Sequence, residues 1–434
     1  MDSHLCWEQS RRQFLVKMFA AGFAIPFGGS ILQACAGGTT SVTSATSTNA
    51  LATRRIFLDS FYTLNNDYWQ GWDRGSREAC AKLNMEYQRV VDEFNVSVQQ
   101  SAIENAPTIG VNGVFMISNT EGASPQLLRT LQEEGIYAVN NWSNAPWNTP
   151  LDIGDHYVAY HTADNVQSVR KICNLMFQKL GGHGNFIHIS GVPGNSSSEE
   201  RDQGVNLALQ DNPGITMLAR QPGQYSRGGT APVIENLLTA HPDVNTIFAQ
   251  NDDSAIAVVN ALEKRSMKAL VAGTDAISEY VEMIAQGRAF ATWAHHGGWI
   301  GAWSTVRVFD ALNGVKLTTP ERMMYFQGFN IDTPAAAQAY NDLMYKKQPF
   351  PFDYQKMSRV LHPQDWDPQN LLTPIHPEQY WAWRAKDKPA GYTLPSAYAT
   401  AQSQGDFDKV TKMYADHFKS DPFKSIKALT SSGK

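Results

Sequence analysis

Amide, carboxylate, guanidinium and aromatic side chains recur in this chain at one kind of place, directly after short apolar runs. After Ile56–Phe61 comes Leu64-Asn65-Asn66-Asp67-Tyr68-Trp69. After Phe186–Ser190 comes Gly191-Val192-Pro193-Gly194-Asn195-Ser196, with Arg201 and Gly204 a little further on. Ile215–Leu218 leads into Gln221-Pro222-Gly223-Gln224-Tyr225, and Thr246–Ala249 into Gln250-Asn251-Asp252-Asp253. Leu270–Ala272 leads into Gly273-Thr274-Asp275, and Phe290–Trp293 into His295-His296. Planar Asp, Asn and Arg groups bond pairs of adjacent hydroxyls, and aromatic rings cover the apolar C–H face of a cyclic polyol. Together these residue types suit recognition of a polyhydroxylated solute.

Each residue also has a structural use. Asn65, Asn66, Asp252, Asp253 and Asp275 all stand where a helix would begin, and such residues satisfy free helix amides as N-caps. Tyr68 and Trp69 fit a core as well as a site, and Arg201 fits a solvated helix face. The Gly191–Gly194 turn lacks the Gly-Lys-Ser/Thr ending of a phosphate loop. His295 and His296 are adjacent, so on a strand they point to opposite faces and are ill placed to share a metal. Neither Gly-x-Ser-x-Gly nor His-Glu-x-x-His occurs in the body of the chain. No cofactor is expected. It is their repetition at successive run ends that favours a shared site.

The elements that must position these residues alternate. The strand candidates are Ile56–Phe61, Gly113–Ser118, Tyr137–Val139, Phe186–Ser190, Ile215–Leu218, Thr246–Ala249, Ala269–Ala272 and Phe290–Ala294. Between them lie amphipathic stretches such as Glu78–Leu83, Pro125–Glu134, Gln167–Leu180, Gln203–Gln210, Pro232–Ala240, Ser254–Lys264, Ser278–Gln286 and Ala302–Leu312. Strand–helix alternation predicts parallel sheets covered on both faces. More than a dozen elements exceed one comfortable sheet, so two lobes are expected. In open α/β sheets the ligand sits beyond the carboxyl ends of the strands. Two lobes facing each other would then line one cleft.

The composition, 42% hydrophobic and 18% charged over 434 residues, is that of a globular protein. A net charge of −5 argues against a nucleic-acid surface. Eleven Trp and sixteen Tyr leave aromatics to spare for a ligand. Cys80 and Cys173 read as buried free thiols. The first 35 residues read as a targeting segment. Arg11-Arg12 followed by Phe14-Leu15 resembles a twin-arginine export signal, with the next basic residue displaced to Lys17, which leaves the Sec route open. Leu32-Gln33-Ala34-Cys35 resembles a lipobox, with Gln33 atypical, and implies lipidation of Cys35. Residues 36–53 follow as a Gly/Ser/Thr tether.

The pattern of strand-end residues resembles the type I periplasmic sugar-binding proteins, the ribose-binding group in particular. The likeness runs over about Arg55 to Asn330. It is most specific at Thr239-Ala240-His241-Pro242-Asp243, Phe248-Ala249-Gln250-Asn251-Asp252 and Gly273-Thr274-Asp275, with the Gly191–Ser196 turn, Arg201 and Gly204 as a second match. The resemblance implies two Rossmann-like α/β lobes around a hinge. Residues 54–162 and 296–322 would form the first lobe, 163–295 and 323–330 the second, and 331–434 a C-terminal extension packed on both. It also implies that Asn66, Tyr68, Trp69 and Trp142 meet the ligand from one lobe, and Arg201, Tyr225, Asn251, Asp275 and His295 from the other. His295 stands where the ribose binders have glutamine. Asn140-Asn141-Trp142-Ser143 stands where they have an adjacent Asp-Arg pair, which makes ribose itself a poor expectation. The implied activity is capture of a sugar or polyol for a membrane ABC permease, without catalysis. A sensory receptor of the same fold is an alternative, and an exported enzyme using Asp275 and His295 as an acid–base pair is a remoter one.

Overall fold

The computed structural model describes residues 49–433. The twin-arginine and lipobox motifs, Cys35 and residues 36–48 of the tether lie outside the described residues. The chain runs β1 (Arg55–Phe61), α1 (Asp67–Lys82), β2 (Met85–Val91), α2 (Val96–Asn105), β3 (Val111–Ile117), α3 (Ser124–Glu133), β4 (Tyr137–Asn141), β5 (Tyr157–Ala163) and α4 (Asn165–Lys179). It continues with β6 (Gly184–Ser190), α5 (Ser196–Asp211), β7 (Ile215–Pro222), α6 (Arg227–Ala240), β8 (Thr246–Ala249), α7 (Asp252–Lys264), β9 (Leu270–Thr274), α8 (Ser278–Ala285) and β10 (Ala291–Ala294). Then come α9 (Gly297–Leu312), β11 (Met323–Phe326), β12 (Phe329–Ile331), α10 (Pro334–Asn341), β13 (Leu372–Pro374), α11 (Ser396–Ser403) and α12 (Asp406–His417).

Two sheets result. One has the order β13-β11-β5-β4-β3-β1-β2 and the other β12-β10-β9-β8-β6-β7. Every pairing is parallel except those of β13 with β11 and of β12 with β10. Strands covered on both faces need apolar or internally paired side chains throughout, and β5 is accordingly buried along its whole length. The chain passes between the sheets four times, after β5, after β10, after β11 and after β12.

The third crossing corrects the expected boundary. Residues 323–326 form β11 in the first sheet, beside β5, and only β12 joins the second. Five strands were not foreseen: β2, β5 and the short β11, β12 and β13. β2 is an edge strand with mixed polar residues and partial exposure, so it lacks an apolar run. β5 carries His161 and Thr162, which read as polar although both are buried. Helix α1 begins at Asp67, well before the expected Glu78.

Helices α1 and α9 touch backbone to backbone. A Cβ on Gly75 would stand 1.9 Å from the Gly298 carbonyl oxygen. One on Gly297 would lie 2.4 Å from the Tyr68 oxygen, and one on Gly301 2.4 Å from the Trp72 oxygen. Glycine is required here for close approach, not for its turn geometry.

The segment after β12 lies over both lobes. Asn341 donates to the Ser278 carbonyl at 3.2 Å and Tyr345 to that of Ala276 at 2.7 Å, both in the second lobe. Phe350 N and the Tyr354 hydroxyl bond Glu78 on α1 in the first. Gln327 N donates to Leu371 O at 3.1 Å, which braces the third crossing. The Tyr380 hydroxyl is 3.1 Å from that of Tyr160 on β5 and also bonds Glu200 on α5.

Gly75→Ala should destabilise the protein by about 1–3 kcal/mol, as overpacking a tight contact does. Urea unfolding checks this; an unchanged midpoint would mean that the helix crossing is looser than described.

Candidate functional site

The carboxyl ends of the two sheets face each other around a cavity of about 300 Å³, a size in the range of small-molecule sites. All nine residues singled out from the sequence line it. Asn66, Tyr68 and Trp69 come from the start of α1 and Trp142 from the turn after β4. Arg201 comes from α5, and Tyr225, Asn251, Asp275 and His295 follow β7, β8, β9 and β10.

Their partners divide them. Asn66 Oδ1 caps α1, accepting from Tyr68 N at 3.1 Å and Trp69 N at 3.3 Å, while its Nδ2 donates to Asp253 in the other lobe at 2.6 Å. Asn251 caps α7 through Ser254 N at 3.0 Å and donates to the Tyr225 carbonyl at 3.0 Å. Both amides thus serve as N-caps, and each nitrogen already gives one of its two N–H groups to a protein acceptor. Asn251, not the aspartates after it, is the cap. Asp252 is buried and accepts from Ile277 N and the Thr292 hydroxyl. Asp253 pairs with Arg227 at 2.8 Å, and Arg227 in turn with Glu279 at 2.7 Å.

Other groups keep polar atoms for the cavity. Arg201 is anchored through Nε to Asn165 at 3.2 Å and through Nη1 to the Gln250 carbonyl at 2.5 Å. The Tyr68 hydroxyl, Trp142 Nε1, Ser197 Oγ and both His295 ring nitrogens are buried without an aligned hydrogen-bond partner. Buried polar atoms are normally satisfied, so this cluster marks where a polar molecule would fit. His295 Nε2 lies 3.4 Å from Asp275 Oδ1, close but not aligned as a hydrogen bond. The His295 ring meets Trp142 edge-on at 4.7 Å and tilts against Tyr68 at 5.4 Å.

Burial pushes the Asp275 carboxyl up to about 8; Arg201 opposes the shift and Asp253 adds to it. Burial, with Arg201 and His296 nearby, holds His295 far below the ordinary imidazole value, so it is neutral. The neighbouring His296 points away from the cavity and caps α9 through Nδ1, which accepts from Trp299 N at 3.3 Å. Burial, with Arg74 nearby, lowers its pKa to about 3. Among the described residues, no group of three His, Cys, Asp or Glu is placed to hold a metal.

The backbone is strained around the cavity. Trp142 (φ 61°), Tyr225 (φ 53°), Asp275 (φ 116°) and Phe94 (φ 60°) all adopt positive φ. Each costs about 1–3 kcal/mol, and such outliers persist mainly where surrounding structure imposes them. Gly191 leaves room for the Tyr225 ring, since a Cβ there would meet it at 2.1 Å.

A family model described as a periplasmic binding protein domain matches residues 60–316. The chain belongs to this family. Among curated relatives of this periplasmic binding protein is the ribose import binding protein RbsB of Haemophilus influenzae. It is 29% identical over 277 residues, which cover 63% of this chain and 90% of the relative. The D-allose-binding periplasmic protein of Escherichia coli is 26% identical over 61% of this chain and 87% of its own length. A crystal structure of a twin-arginine translocation pathway signal protein from Burkholderia phytofirmans has the same fold, with a TM-score of 0.63 and 20% identity. The match covers 66% of this chain and 92% of that one. The family match and these relatives make this periplasmic binding protein a binder of solutes, not an enzyme.

Several lining residues were not singled out from the sequence. Tyr62 and Thr63 directly follow β1, so the strand-end rule covers them. Phe94 follows β2 and was missed with that strand. Ser197, Ser226 and Arg227 stand at the starts of α5 and α6, directly after Ser196 and Tyr225. Trp293 on β10 packs against the second lobe's core and does not line the cavity.

Asp275 titrates near pH 4 when unfolded and near 8 when folded. Its raised pKa contributes stability that is complete below about pH 4 and is lost as pH rises towards about 8. Asp275→Asn, which stays neutral, should therefore melt higher than wild type at about pH 8, with the gap narrowing towards about pH 4. Calorimetry across that range checks it; a gap independent of pH would contradict the assignment.

Proposed function

We propose that this protein is the solute-capturing component of an ABC importer, binding a sugar or sugar-like polyol between its lobes. The observation that carries the reading is the cavity itself. Unpartnered donors and acceptors and aromatic rings converge on it from both lobes at the strand ends. The relatives named for ribose import and D-allose binding support the sugar class. A ligand touching both lobes stabilises the closed form, and the closed form docks on a membrane permease. Arg201, Asp275 and His295 hold hydroxyls, with Tyr68, Trp69, Trp142 and Tyr225 packing on the ring. Asn66 and Asn251 position these groups through the bonds they already make. The absence of ionised groups at Asn141-Trp142 argues against ribose.

A panel of sugars and polyols in a thermal-shift assay tests the class. A ligand at a hundred times its dissociation constant adds about 2.7 kcal/mol, a readily visible shift. With the ligand so found, Asp275→Ala should weaken binding about three- to tenfold in calorimetry at neutral pH, where the carboxyl is mainly protonated, the loss of one hydrogen bond between neutral groups. Unchanged affinity would remove Asp275 from the site.

The same reading extends to the amino-terminal motifs. The chain is exported and held at the membrane by lipid on Cys35, which keeps the lobes near the permease. The twin-arginine motif supports that route of export, and the Burkholderia phytofirmans neighbour carries that pathway in its name. Cys35→Ser should move the protein from the membrane to the soluble fraction after export. Persistence in the membrane fraction would rule out this anchor.

A further inference from the structure

Resting on the sugar-capture reading, we propose that Phe94 and Tyr62 form a second subsite at the cavity rim, which takes a ring attached to the bound sugar. Phe94 lines the cavity yet keeps 46% of its surface exposed. Its ring stacks on Tyr62 at 4.6 Å with planes 27° apart. Tyr62 meets Trp69 edge-on at 5.2 Å, and its hydroxyl donates to the Ser118 carbonyl at 2.6 Å, which fixes the ring. An aromatic track therefore runs from Trp69, through Tyr62, to Phe94 in solvent.

The turn that presents Phe94 is built at a cost. Glu93 (φ 47°) and Phe94 (φ 60°) are successive left-handed residues, and for a bulky side chain this is a true outlier. Buried Asp92 holds the turn through Oδ1, which accepts from Phe94 N at 3.0 Å. Asp92 N donates to Phe61 O at 3.1 Å and Glu93 N to Tyr62 O at 2.7 Å. A structure that strains two residues to hold an aromatic ring half in water needs something to cover that ring. A small sugar in the deep part, against Arg201, Asp275 and His295, would leave Phe94 wet. A ligand with a second ring would cover it. That ring is either another sugar, through its C–H face, or an aromatic aglycone, through its π face; both offer the same apolar flat surface.

The test uses the full mature chain and calorimetry. The probes are D-xylose, D-glucose and D-galactose, each paired with its phenyl β-glycoside, plus cellobiose and lactose. At least one two-ring probe should bind about three- to tenfold tighter than its parent monosaccharide. The aryl and disaccharide arms tell which kind of ring is preferred. In Phe94→Ala that ratio should fall to about one, and Phe94→Trp should restore it. Monosaccharide binding with no gain from any second ring overturns this inference and leaves the capture reading intact. A gain that survives Phe94→Ala also overturns it, and points to Phe94 as a docking residue for a protein partner. Binding of none of the probes, together with no shift across the wider sugar panel, overturns the capture reading as well.

Discussion

The contact on which the site depends is the side-chain-free crossing of α1 and α9. Gly75, Gly297 and Gly301 let the two backbones meet where any Cβ would collide. Helix α1 begins with the residues that face the cavity from the first lobe, Asn66 to Trp69. Helix α9 begins directly after His295, the last cavity residue of the second. Drawing these helices together sets the Tyr68 ring against His295 at 5.4 Å. One apolar, sterically defined contact thus sets the distance between walls that belong to different sheets.

The cavity that results is electrostatically one-sided. Its Arg, Asp and His side chains, Arg201, Arg227, Asp253, Asp275 and His295, all come from the second lobe, whereas the first contributes Tyr62, Tyr68, Trp69, Phe94 and Trp142. The amides sit between these extremes and act mainly as struts. Asn66 and Asn251 each cap a helix with the oxygen and tie down a neighbour with the nitrogen. Asp275 illustrates the usual exchange of stability for function. Its carboxyl is held with its pKa near 8 in a partly desolvated position, which a stability-optimised sequence would fill with a neutral side chain.

The carboxy-terminal segment adds a further constraint. It supplies β13 to the edge of the first sheet, bonds Ala276 and Ser278 in the second lobe, and passes beside the third crossing. Tyr380 joins Tyr160 in one lobe to Glu200 in the other. Tyr160, Glu200 and Tyr380 are all buried, so this bridge lies deep between the lobes and not on their surface, and burial raises the Glu200 carboxyl to about 7.

Much of this was legible in the chain. Parallel strands buried on both faces must be apolar, so β1, β3, β6, β8 and β9 announce themselves, and polar residues at their carboxyl ends can only face the cleft. That rule, together with the family resemblance, brought nine residues to one cavity. It failed where apolar patterning fails. The half-exposed edge strand β2 was missed, and Phe94 with it; β5, buried but carrying His161 and Thr162, was missed as well. The sequence by itself therefore determined the fold class, the strand ends and the residue types around the site, because these follow from local periodicity and burial. Only the tertiary structure decided which lobe received residues 323–326, which amides are caps, and that Phe94 stands at the rim. Those outcomes depend on contacts between residues far apart in the chain, such as Asn66 with Asp253, and no local pattern records them.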